Sequence, residues 1–243
     1  MARVFITGSS DGLGKLAAES LLGAGHQVIV HARNTERLEA VRDLLDRGAS
    51  GVVGDLADLS EVRDVAAGVN DIGVPDAVIH NAAVYEGPSL LTVNVVAPYL
   101  LTALVRRPKR LIYLSSGMHT GGRTRLNGLD WSGESGAVTY SDTKLFVTAL
   151  SAAVARRWPD VVSSAVDPGW VPTKMGGRNA PDDLRLGHLT QEWLATSTDA
   201  AALASGGYWH HQARVRPHVA VADIRFQDAL LDALARHTGT DLG

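Results

Sequence analysis

The chain has 243 residues, of which 45% are hydrophobic and 20% charged, with a formal net charge of −3. That length fits one large α/β domain that buries about three quarters of its unfolded surface, and the composition excludes a disordered chain. With no cysteine, a disulfide framework, a thiolate-ligated zinc site, an iron–sulfur cluster and a thiol nucleophile are excluded, and the charge balance argues against a nucleic-acid partner.

Arg3–Thr7 reads as a strand, with no charged leader and long apolar run before it, so no signal peptide is expected and the cytoplasm is the expected location. A Gly-rich turn follows, then a helix over Leu13–Gly23 closed by Gly25, and a strand over Gln27–His31. Leu38, Val41, Leu44 and Leu45 recur at helical spacing within Thr35–Asp46. Gly51–Gly54 reads as a strand, Leu59–Val69 as a helix, Asp76–His80 as a strand and Leu90–Val105 as a helix. Gly87–Val105 is free of charge over 19 residues, long enough on count to span a bilayer; its prolines, threonines and Asn94 favour a buried or interface helix, and no membrane partner is expected. Arg110–Ser115 is a strand, and Gly117–Gly136 a loop with six glycines. A long helix over Val138–Trp158 is stopped by Pro159. Val161–Asp167 is a strand, Leu189–Ser197 and Phe226–His237 are helices, and Gly207–Trp209 or Val219–Ala222 supplies a last strand. Alternation of apolar strands with helices predicts a Rossmann-like, doubly wound parallel sheet with helices on both faces. The chain shows no repeat or linker and reads as a single domain over 1–243, with a small substrate lobe around 174–205.

Three local patterns carry chemistry. Gly8-Ser9-Ser10-Asp11-Gly12-Leu13-Gly14 follows a strand and opens a helix, the context in which glycines let a backbone cradle a pyrophosphate; an ordinary strand–turn–helix is the competing reading. The second strand ends in His31-Ala32-Arg33-Asn34, where an acid that binds a ribose 2′-hydroxyl is missing and an arginine stands instead. Guanidinium pairs bidentately with phosphate, so NADP is favoured over NAD, against the alternative of a solvated arginine at a helix start. Asp11, at the same corner, opposes a phosphate. The third pattern is Tyr140-Ser141-Asp142-Thr143-Lys144. Residues i and i+4 share a helix face, and an ammonium beside a phenol lowers its pKa from about 10, at about 1.4 kcal/mol per unit. Such a tyrosine exchanges protons with a substrate oxygen. Lysine is scarce, being found only at Lys15, Lys109, Lys144 and Lys174, so chance spacing is a weak competitor.

These residues, together with Asn81-Ala82-Ala83, Asn94, Ser115-Ser116 and Pro168-Gly169 through Thr173, stand in an order that resembles the short-chain dehydrogenases/reductases over nearly the whole chain. The resemblance implies an oxidoreductase that passes a hydride between a nicotinamide cofactor and a carbonyl or alcohol substrate. It implies Tyr140 as general acid/base, Lys144 on the nicotinamide ribose and Ser116 on the substrate oxygen. Asn94 would anchor a water relaying protons to Lys144. Asp55 and Leu56 would lie at the adenine, Asn81, Ala82 and Ala83 behind the cofactor, and Pro168, Gly169, Val171 and Thr173 at the carboxamide. No metal site is expected, since His210 and His211 are adjacent and point apart. An NADP-binding regulatory protein and an epimerase or dehydratase remain alternatives. The interval from Asn81 to Asn94 is short for the family and the helix after Asn94 ends early, so whether the protein is a homo-oligomer stays open. The long Gly117–Gly136 loop is expected to cover the substrate pocket with Trp131 as a wall, or else to be surface decoration. His119 is either loop structure or part of the substrate wall.

Overall fold

The computed structural model describes residues 1–132 and 136–243. Residues 133–135 of the expected loop lie outside the described residues. Among the described residues eight strands form one sheet: β1 (Arg3–Ile6), β2 (Gln27–Ala32), β3 (Ser50–Val53), β4 (Ala77–His80), β5 (Arg110–Leu114), β6 (Val162–Asp167), β7 (Gly207–His210) and β8 (Ala213–Arg214). Their order is β3-β2-β1-β4-β5-β6-β7-β8. Every pairing through β6–β7 is parallel. The β7–β8 hairpin at the edge is antiparallel, which the alternation pattern had not predicted.

Side chains alternate across a strand, and this sheet uses both directions. From β1, Val4 and Ile6 enter a core shared with Ala17, Ala18 and Leu21 of α1 (Gly12–Gly23), Leu44 of α3 (Arg42–Asp46) and Leu194 of α7 (Leu184–Thr196). Phe5 enters the opposite core, with α4 (Leu59–Ile72), α5 (Ala97–Leu104), α6 (Tyr140–Arg157) and α8 (Ile224–Thr238). Helices therefore cover both faces, as the apolar strands require.

Several boundaries differ from the sequence reading. The expected Thr35–Asp46 helix is two short ones, α2 (Thr35–Glu39) and α3, because the backbone leaves helical geometry at Val41 (φ −122°, ψ 30°). The expected Leu90–Val105 helix opens on a π segment, Thr92–Val96, before α5. No helix among the described residues is long and apolar enough to cross a membrane. The last parallel strand is supplied by Gly207–His210, whereas Val219–Ala222 is a 3₁₀ turn. Thr139 caps α6 through a reciprocal pair with Asp142, which sets where Tyr140 enters the helix.

Candidate active site

The strand order reverses between β1 and β4, and loops leaving the carboxyl ends of strands at such a point part to form a crevice. Here that crevice is a cleft of about 420 Å³. Of the residues singled out from sequence, Gly8, Ser10, Asp11, Gly12, Leu13, Arg33, Asp55, Leu56, Asn81, Ala82, Ala83, Tyr140, Lys144, Pro168 and Thr173 line it.

The glycine-rich turn has a distinct reason for each glycine. Gly8 has φ +62°, and a Cβ there would meet Ala82 at 3.0 Å. Gly12 has φ +54°, and the nearest atom to a Cβ there is Thr173 at 3.8 Å, so its backbone faces open cleft. A Cβ on Gly14 would strike the Asn81 amide nitrogen and come within 2.6 Å of the Gly8 carbonyl. Asn81 donates in turn to the Thr7 carbonyl at 2.9 Å, welding β4 to the turn. Ser9 lies under the turn, fully buried; its Oγ donates to Ile6 O at 2.9 Å and accepts from His31 N at 2.8 Å.

At one end, Arg33 and Arg37 line the cleft beside Asp55 and His31. Asp11, which sequence reasoning set against a phosphate, is paired with Lys174 and lies 3.8 Å from Arg37. The Lys174 hydrogen bond holds its carboxyl below the usual range, against burial. Arg37, Lys174 and His31 were not singled out from sequence as site residues. Arg37 was legible as a second arginine four positions after Arg33, on the short helix that follows it.

At the other end, Tyr140 and Lys144 lie on the same face of α6. Lys144 is buried, and its Nζ donates to Leu114 O at 2.7 Å. Its Nζ is 5.3 Å from the centre of the Tyr140 ring. The expectation of a depressed phenol is not met in this arrangement. Burial, then Tyr85 and Asp167, push the Tyr140 phenol up to about 12, while a hydrogen bond with Ser116 pulls the other way. Burial also pushes Lys144 down to about 7, partly offset by Asp167. Desolvation disfavours both charged forms, and it is the largest influence on each. Tyr85 tilts over Tyr140 with ring centres 4.9 Å apart, and the Tyr140 hydroxyl points at Met175 Sδ, 4.0 Å away.

Asn94 sits in the π segment. Its amide accepts from Val84 N at 2.8 Å and donates to Val84 O at 2.9 Å and Thr143 Oγ1 at 3.1 Å, so it ties the strand-β4 loop to α6. Gly169 (φ +83°) packs against Asp182 and His211, and Val171 against Gly187; neither lines the cleft. His119 is buried. With Nε2 accepting from His218 N at 3.0 Å, Nδ1 donates to Ser116 O at 2.8 Å, and the ring packs tilted against Tyr208 with centres 4.6 Å apart. It is loop structure behind Ser116. None of the loop's described residues lines the cleft. Leu126, Leu129 and Trp131 pack on the α6/α8 side, with Trp131 6.5 Å from Phe146 and 6.3 Å from His237. Packing there removes these apolar side chains from water.

Comparison with known proteins decides the family. The model described as short chain dehydrogenase matches residues 2–107. The chain is similar to "Short-chain dehydrogenase chry4" of Gibberella zeae, 38% identical over 256 aligned residues that cover all of this chain and 99% of that one. The chain belongs to the short-chain dehydrogenase/reductase family. Among solved structures, an uncharacterized protein from Mycobacterium paratuberculosis superposes with a TM-score of 0.80 at 24% identity, covering 100% of this chain and 95% of that chain. A blue fluorescent protein from a metagenomic library, in complex with NADPH, superposes at 0.70 and 18% identity, covering 86% of this chain and 95% of that one. As a dehydrogenase/reductase, the protein carries a cleft lined mostly by residues legible in the sequence, with His31, Arg37 and Lys174 as additions.

Proposed function

We propose that this dehydrogenase/reductase is NADP-dependent and interconverts a carbonyl compound and its alcohol, with a small molecule as its substrate. The observation that carries the reading is one cleft with two unlike ends. Arg33 and Arg37 stand at one, and Tyr140, Lys144 and the neighbouring Ser116 at the other. The residues fit a dinucleotide: an open backbone at Gly12, the free N–H groups at the start of α1, and guanidinium groups for a 2′-phosphate. The Asp11 charge is taken up by Lys174 and Arg37, which removes the objection to a phosphate at that corner.

A bound nicotinamide dinucleotide supplies the hydride. In reduction the Tyr140 hydroxyl gives its proton to the substrate oxygen, and a phenol held up at about 12 keeps that proton through neutral pH. The Ser116 hydroxyl, within hydrogen-bond reach of the same phenol, polarises the oxygen. Lys144 holds the ribose, with Leu114 O fixing its ammonium. Asn94 acts by fixing α6 against Val84. Cofactor oxidation followed across ketones, aldehydes and quinones, with NADPH and NADH in parallel, tests the reading. Turnover of at least one carbonyl class, with NADPH preferred, is the expected result.

A further inference from the structure

Asp167 ends β6 directly before Pro168, and no step above uses it. Its Oδ1 accepts from Gly169 N at 3.0 Å. Oδ2 packs against the backbone immediately after Ser116, where a Cβ on Gly117 would lie 3.1 Å from it. Among the described residues Oδ2 accepts no hydrogen bond, and its ion-pair neighbour is His210, whose Nδ1 is 3.5 Å away, rather than a lysine or arginine. The side chain is 17% exposed. Its field reaches Tyr140, Lys144, His119 and Tyr208 alike. A carboxylate oxygen with spare acceptor capacity therefore stands against the backbone that carries Ser116. On the far side of Tyr140 are exposed apolar groups, Tyr85 against its ring and Met175 at its hydroxyl, and Trp170 is exposed as well, with its indole donating to Gly176 O at 2.7 Å.

We propose that Asp167 determines substrate specificity: it accepts a hydrogen bond from a hydroxyl or amino donor next to the reacting carbonyl, and it rejects carbonyl compounds that carry a carboxylate there. An under-bonded acceptor in a partly buried site gains from a donor. A second anion at the same place meets like charge in poor screening, which weakens binding and selects against that partner. The exposed apolar groups suit a flat hydrocarbon body on the substrate's other side. This inference rests on the carbonyl-reductase reading.

Three substrates of one skeleton test it: 1-phenylpropan-2-one, 1-hydroxy-3-phenylpropan-2-one and phenylpyruvate, each with NADPH. The hydroxy ketone is expected to have the highest kcat/KM, and phenylpyruvate to fall at least tenfold below the plain ketone. Asp167→Asn keeps an oxygen for Gly169 N, and it should bring phenylpyruvate to within about threefold of the plain ketone and remove the advantage of the hydroxyl. Wild-type protein that reduces phenylpyruvate as fast as the hydroxy ketone overturns the proposal, as does an unchanged ratio in the variant. Should no carbonyl be reduced, the reductase reading fails and binding decides the rest. Quenching of tryptophan fluorescence by 3-phenylpropane-1,2-diol at least tenfold tighter than by 3-phenyllactate, lost in Asp167→Asn, supports the charge selection, and equal affinities overturn it.

Discussion

The imidazole of His31 receives the backbone N–H of Gly8 on its Nδ1 at 2.9 Å. Its Nε2 then carries the proton and donates to Gly54 O, also at 2.9 Å. One buried ring thus joins the glycine turn after β1 to the loop after β3. Replacing it with Phe leaves a buried donor and a buried acceptor without partners, at roughly 1–3 kcal/mol each. His31→Phe should lower the midpoint of thermal unfolding and weaken NADPH binding about tenfold or more, with kcat at saturating cofactor changed little. Unaltered cofactor affinity in a folded variant would show that the ring does not position the turn.

His31 is one of three buried histidines that the fold holds neutral. Burial lowers His31 and His119, and brings His80 down to about 3. For a base whose folded pKa lies below its unfolded value of about 6.5, stability is complete above 6.5 and is lost as pH falls toward the folded pKa. For His80 the loss by pH 5 is about 2 kcal/mol on that basis. Urea unfolding at pH 7.5 and pH 5 should show a marked fall in midpoint, reduced in His80→Phe. An identical fall in that variant assigns the acid sensitivity elsewhere.

Sheet, motif order and most of the cleft were legible because each depends on short-range pattern: apolar strands, glycines flanked by strand and helix, and a Tyr–Lys pair at helical spacing. The Gly117–Gly136 loop was not. Its course is set by where Leu126, Leu129 and Trp131 find apolar surface, on α6 and α8, and by the Arg123–Asp142 pair at 2.5 Å, contacts that sequence spacing does not encode. Tyr140 shows the same limit. The spacing to Lys144 is visible in the sequence, yet the extent of burial that outweighs it is a property of the packed site. Lys174 reaches Asp11 across 163 positions, a pairing with no local signal.

Tyr140→Phe removes the phenolic proton while keeping the ring against Tyr85. Turnover should fall by about 10²–10⁴, the usual range for a general acid, with NADPH affinity nearly unchanged. Retention of more than a tenth of the wild-type kcat would remove Tyr140 from the chemistry.

Arg33→Asp replaces a charge-assisted pair to the 2′-phosphate with repulsion. NADPH affinity should drop at least tenfold while NADH holds or improves. Arg37→Ala should act in the same direction and less strongly, because part of its charge is engaged with Asp11. Titration of both cofactors by fluorescence measures each, and equal affinities for NADPH and NADH in the unmodified protein would already contradict the assignment.

Gly12 and Gly14, two residues apart, should fail in different ways. A methyl at Gly14 has nowhere to go: it collides with the Asn81 amide and the Gly8 carbonyl, both held in place by the bond from Asn81 to Thr7 O. Overpacking against backbone costs about 1–3 kcal/mol, so Gly14→Ala should lose stability and, through the displaced turn, cofactor binding as well. A methyl at Gly12 meets nothing closer than 3.8 Å. Its cost to folding is the left-handed backbone alone, about 1–2 kcal/mol, but it projects where a pyrophosphate must approach. Gly12→Ala should therefore keep most of its stability and still bind NADPH at least tenfold more weakly. Thermal unfolding without cofactor, set beside NADPH titration, separates the two effects. If Gly12→Ala binds NADPH as the wild type does, the open face of Gly12 is not the pyrophosphate cradle.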